Sequence, residues 1–224
     1  MADGHRDTNL MDTSLTHTLA DRAVDRAVGD RRSQYADEIQ RVLETTYDLI
    51  ESSGNVDPSL REILAATNLS TQAFYRYFRS KDELFLLLLD DGRRRLYGSL
   101  ERRMQKATTP EARVRAWIEG VLAQASDARA AGRTKPFVTD QDRLAEAFPD
   151  EQQASVDLLV DLLASAVVGL HGRASARDDA LVVYRAAFGA LRDHLIRGTQ
   201  PTSAEIDHLV NFCVAGIGGT RGST

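Results

Sequence analysis

The stretch Ser59-Leu60-Arg61-Glu62-Ile63-Leu64-Ala65-Ala66-Thr67-Asn68-Leu69-Ser70-Thr71-Gln72-Ala73-Phe74-Tyr75-Arg76-Tyr77-Phe78-Arg79-Ser80-Lys81 decides how this chain is read. Ser59 and Glu62 have the S-x-x-E spacing of a capping box, which satisfies open N–H groups at a helix start. Ile63, Leu64 and Leu69 supply apolar anchors. Asn68 stands where a tight turn needs a left-handed backbone, which Asn tolerates better than most residues other than glycine. Ser70 then caps a second helix, Thr71 to Phe78. Two short helices around such a turn are the unit that sets a helix into the major groove of DNA.

The helical period divides the second helix into two faces. Ala73, Phe74 and Phe78 turn inward. Thr71, Gln72, Tyr75, Arg76 and Tyr77 lie outward or at the rim. Gln pairs bidentately with adenine and Arg with guanine. Tyr and Thr hydroxyls suit phosphate oxygens, which set register. Lys81 adds a positive charge at the start of the next helix, a good phosphate position. A merely solvated face seldom exposes two tyrosines beside Thr, Gln and Arg.

Outward from this unit the pattern stays helical, which predicts an all-α fold. Residues 1–32 are polar and aspartate-rich and read as a disordered extension, in which Leu15, Leu19, Ala23 and Val24 support at most a transient helix. The first firm helix spans about Ser33 to Ser53, with Ile39, Val42, Leu43, Thr46, Leu49 and Ile50 in helical spacing. Gly54, Asn55 and Pro58 close it. A fourth helix opens at Ser80–Glu83, a second capping box, and reaches about Lys106. Helices are then expected over Glu111–Ala131, Asp140–Phe148, Asp150–Leu170, Ala176–Arg197 and Thr202–Ile217, with a loop at Gly132–Pro136 and a capping box at Thr202–Glu205. The domains implied are a helix-turn-helix head over 33–80, a helical body over 81–218 and a disordered tail over 219–224.

Composition bounds the function. The 224 residues carry a net charge of −5, which argues against indiscriminate coating of nucleic acid. Residues 31–106, with 13 basic and 12 acidic groups, are the only third of the chain that is not net acidic, so a local basic face remains available. The lone Cys213 excludes an internal disulfide and reads as a small buried hydrophobe. Leu86–Leu89 is the most apolar run and the N-terminus lacks a signal-peptide core, so no membrane partner and a cytoplasmic location are expected. No phosphate loop, nucleophile elbow or H-E-x-x-H occurs. Asp140/Asp142 and Asp178/Asp179 read as charges at helix N-termini, so no metal, cofactor or catalytic residue is assigned.

Ser59-Leu60-Arg61-Glu62-Ile63, Leu69 through Phe78 and Ser80-Lys81-Asp82-Glu83-Leu84 resemble the TetR/AcrR family of bacterial transcription regulators, over about residues 34–84. The resemblance implies that Thr71, Gln72 and Arg76 approach base edges. It places Ser59, Tyr75, Tyr77 and Lys81 at phosphates and Arg61 at a position that reaches a base in some members. Asn68 replaces the usual turn glycine. Gln72 replaces a usual small residue, so no known operator sequence transfers directly.

The resemblance also implies a homodimer on palindromic DNA. Val183, Ala187, Ala190, Leu191 and His194 share one helical face, and Val210, Cys213 and Val214 another. These faces fit either a four-helix seam between subunits or burial within one, and the resemblance favours the seam. Leu100, Met104, Trp117, Val121, Phe137, Phe148 and Leu159 are the candidate lining of an effector pocket for an apolar or amphipathic small molecule. The function expected is a ligand-responsive repressor that leaves its operator when the effector binds. The alternatives are an activator, a helical protein-binding adaptor and, distantly, an all-helical enzyme.

Overall fold

The computed structural model describes residues 18–55, 57–139, 145–171 and 175–219, with the side chains at 19, 20, 22, 136–139, 171 and 219 excepted. All elements among the described residues are helical: α1 (Leu19–Ser53), α2 (Leu60–Thr67), α3 (Thr71–Tyr77), α4 (Lys81–Gln105), α5 (Pro110–Leu122), α6 (Ala128–Thr139), α7 (Pro149–His171), α8 (Ala176–Arg197) and α9 (Ser203–Gly219). The chain forms two compact units, Met1–Arg41 and Val42–Thr224. Helix α1 runs through the division.

Helix α1 corrects the expected extension. It begins at Leu19, well before Ser33. Its start carries a T-x-x-D box: the Thr18 N–H and hydroxyl both donate to Asp21, at 2.9 and 2.8 Å, and the Asp21 N–H donates back to Thr18 at 3.2 Å. These bonds hold the Asp21 carboxyl below its ordinary value. Val24 and Val28 are each 60% exposed. The segment is helical because extending an existing helix adds one hydrogen bond per residue, without a new nucleation cost. Residues 1–17 and the tail 220–224 lie outside the described residues.

Val42, Leu43, Thr46, Tyr47 and Ile50 of α1 are buried, as are Ile63, Phe74, Phe78, Leu84, Phe85 and Leu88 of the next three helices. The Tyr47 hydroxyl donates to the Leu88 carbonyl and ties α1 to α4. The body has a separate core. Leu100 and Met104 of α4 meet Val114, Trp117, Ile118 and Val121 of α5, Leu159, Val160 and Leu163 of α7, and residues of α8 and α9. Trp117 packs edge-on against Phe188, with ring centroids 6.3 Å apart. Gly120 permits the α4–α5 crossing: a Cβ there would sit 2.4 Å from Leu100 Cδ2.

Two body expectations change. The helix expected over Glu111–Ala131 breaks at a 3-10 turn, Ala123–Ala125, because Asp127 caps a new helix by accepting the Ala130 N–H at 2.8 Å. The loop expected at Gly132–Pro136 lies inside α6. Arg129 and Arg133 of α6 pair with Glu44, Asp48 and Glu51 of α1. Such pairing holds a helix where local propensity does not favour one. The helix expected over Asp140–Phe148 falls largely outside the described residues. Residues 149–170 are long and apolar enough to span a membrane, yet Leu159, Val160, Leu163, Ala166 and Val167 bury one face in the body core. This is the pattern of a core helix.

Candidate nucleic-acid interface and body cavity

Local chemistry builds the helix-turn-helix. At α2 the Ser59 N–H and hydroxyl donate to the Glu62 carboxylate at 2.7 and 2.6 Å, and the Glu62 N–H donates to Ser59 Oγ at 3.3 Å. Asn68 ends the helix at φ 55° and ψ 33°, the left-handed conformation that the turn requires. The Ala73 N–H donates to Ser70 Oγ at 3.1 Å and starts α3. The expected box at α4 is only half formed: the Glu83 N–H donates to Ser80 Oγ at 3.0 Å, while the Glu83 carboxylate takes the Arg79 N–H.

Helix α3 buries Phe74 and Phe78, whose rings pack at 5.1 Å. Thr71, Gln72, Tyr75 and Arg76 are exposed, Tyr77 is half-buried, and Arg61 is exposed on α2. Three of these groups are already engaged. Arg76 Nη2 donates to the Tyr77 hydroxyl at 2.9 Å and the guanidinium lies 5.0 Å from that ring centre. Lys81 Nζ pairs with Asp57 at 2.5 Å and reaches the Pro58 carbonyl at 3.3 Å. Ser59 spends its hydroxyl hydrogen and its N–H on Glu62. It is a cap, with neither donor left over for a phosphate.

Six of the effector residues expected from the sequence, Leu100, Met104, Trp117, Val121, Phe148 and Leu159, do not line the cavity. Leu100, Met104, Trp117, Val121 and Leu159 are buried core residues, and Phe148 is half-buried beside α7. Phe137 lies outside the residues whose side chains are described. The cavity, of about 490 Å³, lies nearer α1, walled by Glu44 and Tyr47 of α1, Leu89, Gly92, Arg93, Arg95, Leu96 and Ser99 of α4, Gln124 and Asp127, Arg129, Ala130, Arg133 and Thr134 of α6, and Tyr184, Phe188 and Leu191 of α8. Its apolar wall is the Tyr184–Phe188 pair, stacked at 4.3 Å.

The lining also carries charged groups, four arginines and two acids. Arg133 pairs with Glu44 at 3.3 Å and Asp48 at 3.4 Å, and its guanidinium lies 4.9 Å from the Tyr47 ring centre. Arg95 pairs with Asp91 at 2.9 Å and also with Glu44. Burial acts to raise the Glu44 carboxyl, but the hydrogen bonds and charges of Arg95 and Arg133 outweigh it and hold the group below its ordinary value. Burial pushes the Tyr47 and Tyr184 hydroxyls upward, so both stay protonated. A sequence signal for this lining exists in Arg93-Arg94-Arg95. At 100° per residue, three successive side chains cannot share one solvent face. Arg94 takes the solvent position, and Arg93 and Arg95 flank the cavity.

The residues expected at a dimer seam are largely packed within the subunit. Val183, Ala187, Leu191, Val210 and Cys213 belong to the body core, with Ala190 and Val214 packed against it. His194 is half-buried, with Nδ1 2.9 Å from the Thr199 hydroxyl. Periodicity identifies an apolar face but cannot say which neighbour covers it. Burial pushes the Cys213 thiol up, in keeping with a packing role. The apolar side chains left outward are Val182 and Ile196 of α8 and Phe212 of α9, which is 69% exposed.

Residues 42–88 match the family model described as bacterial regulatory proteins, tetR family. The fold is similar to that of a TetR transcription regulator from Haloarcula marismortui, at 18% identity and TM-score 0.63, covering 83% of this chain and 98% of that one. It is also similar to the fatty acid degradation regulator FadR from Bacillus halodurans, at 15% identity and TM-score 0.58, covering 83% of this chain and 97% of that one. No curated protein sequence matches the chain significantly. The helix-turn-helix is thus matched by the tetR-family model, and the helical body shares the fold of TetR-family transcription regulators.

Proposed function

We propose that the chain is a ligand-responsive repressor of the cytoplasm that acts as a homodimer on a palindromic operator and performs no catalysis. Residues 33–80 form the reading head in this proposal and residues 81–218 the effector-binding and dimerising body. Thr71, Gln72 and Arg76 read base edges, with Arg61 at the margin, and Tyr75, Tyr77 and Lys81 hold phosphates. The second subunit covers Val182, Ile196 and Phe212, since exposed large apolar groups favour association.

One observation carries the ligand response. The cavity is walled by Glu44 and Tyr47 of α1 and by six residues of α4, the helices immediately before and after the helix-turn-helix. A molecule held there contacts both. Any difference in its affinity between two arrangements of these helices becomes a difference in DNA affinity. Two half-sites engaged together amplify this effect.

The test is selection of DNA from a randomised library by the purified chain, followed by footprinting of the enriched sequence at moderate salt. A palindrome with half-sites about one helical turn apart is the expected result. Failure to enrich or protect any sequence overturns the regulator reading.

A further inference from the structure

Arg93 is set apart from the other cavity arginines. Its Nη2 donates to Gln152 Oε1 at 2.5 Å, and its Nη1 is buried with no partner among the described residues. The Gln152 Nε2 is likewise buried and unpartnered. Asp90, whose charge acts on Arg93, is committed to Arg94 at 2.8 Å. Burial accordingly pulls the Arg93 guanidinium below its ordinary value. A half-buried cation whose one hydrogen-bonded partner is a neutral amide is costly unless an anion joins it.

The surroundings specify that anion. Four arginines, Arg93, Arg95, Arg129 and Arg133, line the cavity against two acids, Glu44 and Asp127. The opposite wall is the Tyr184–Phe188 stack with Leu191. A volume of about 490 Å³ lies within the range of small-molecule sites. Arg95, Arg129 and Arg133 are each paired with acids of α1 or α4, so Arg93 is the cation left for a ligand to answer, which a neutral apolar molecule would not do.

We propose that the cavity binds an amphipathic carboxylate. Its apolar body lies on Tyr184 and Phe188, and its head group sits among Arg93, Arg95 and Arg133 in competition with Glu44. The proposal rests on the reading of this cavity as the effector site. Arg93 Nη1 reaches the head group by rotation about its last side-chain torsions, a movement that breaks no ionic contact at that end. As the carboxylate engages Arg95 and Arg133, Glu44 gives up its ion pairs with α4 and α6, which weakens the hold of those helices on α1. The anion and the present helix arrangement therefore oppose one another, and by linkage DNA and the anion do too.

Calorimetry on the purified full chain, without DNA, tests this. The probes are naphthoate and decanoate, each against its neutral amide. The carboxylates should bind about tenfold tighter or more, the least that a charge-assisted hydrogen bond contributes. Arg93→Gln should diminish the preference. Arg94→Gln, on the solvent side of α4, should keep it. Equal affinity for acid and amide, no binding of either carboxylate, or an undiminished preference in Arg93→Gln overturns the proposal. The wild-type ratio decides by itself if Arg93→Gln does not fold. A chain that prefers carboxylates yet protects no DNA loses the regulator reading alone. One that protects DNA without discriminating acid from amide loses only the ligand class.

Discussion

Arg76 and Arg93 are the same side chain in two settings. Arg76 stands on the exposed face of a short helix, laid against Tyr77 and open to solvent. Arg93 stands on the inner side of a long helix, hydrogen-bonded to a neutral amide at one end and unpartnered at the other. The head keeps its charges where water screens them and a groove can compete for them. In the body, Arg93 is half-buried, where the local dielectric is lower and each pairing has larger consequences. Both arrays meet anions, but the head suits a polyanion it must leave and the cavity a single charge it must recognise.

The largest test of this contrast is Trp117→Ala. Trp117 is fully buried and backs the Tyr184–Phe188 wall. Its loss should destabilise the chain by about 3–5 kcal/mol, read from denaturant unfolding, and abolish carboxylate binding. A stability loss with ligand affinity intact would show that the cavity does not depend on the body core. Gly120→Ala comes next. The added methyl meets the fully buried Leu100 and should cost about 1–3 kcal/mol, more than the roughly 1 kcal/mol of helix propensity it gains. An unchanged unfolding midpoint would mean that the crossing of α4 and α5 yields easily.

Smaller effects separate the roles within the head. Arg76→Ala should lose about 1–3 kcal/mol at one or two base positions. Lys81→Ala should weaken all sequences alike and lower the salt slope by about 1. Because Lys81 is already paired with Asp57, part of its phosphate contact is offset by the lost ion pair. Binding measured on a set of single-base operator variants distinguishes the two, and identical profiles would defeat the assignment. The smallest effect is that of acid. The folded-state Glu44 carboxyl lies below its ordinary 4.5, so its contribution is full above that value and is lost as pH falls below it. Partial exposure keeps the contribution small. Glu44→Gln should flatten this part of the stability–pH curve, and a curve identical to wild type would remove Glu44 from the mechanism.

The head was legible in the sequence because it is built from bonds within four residues. Ser59 to Glu62, Ser70 to Ala73 and the left-handed Asn68 are local choices that the chain makes wherever the segment lies. Thr18–Asp21 is an equally local box, and reading it would have moved the start of α1 to Leu19. The body was legible only as helices. Val183, Ala187 and Val210 form an apolar stripe, but a stripe facing a subunit's own core has the same period as one facing a partner. Leu100 and Trp117 are large and apolar, and such residues fill cores more often than cavities.

The sequence by itself determined an all-helical chain, a capped helix-turn-helix and the side chains on the outer face of α3. Each of these follows from short-range hydrogen bonding and the helical period. The tertiary structure alone decided which apolar stripes are internal, where the cavity lies and that Arg93, Arg95 and Arg133 converge on it with Glu44. Those outcomes depend on partners 51 to 89 residues apart. Such pairings are set by the packing of whole helices, which no local pattern encodes.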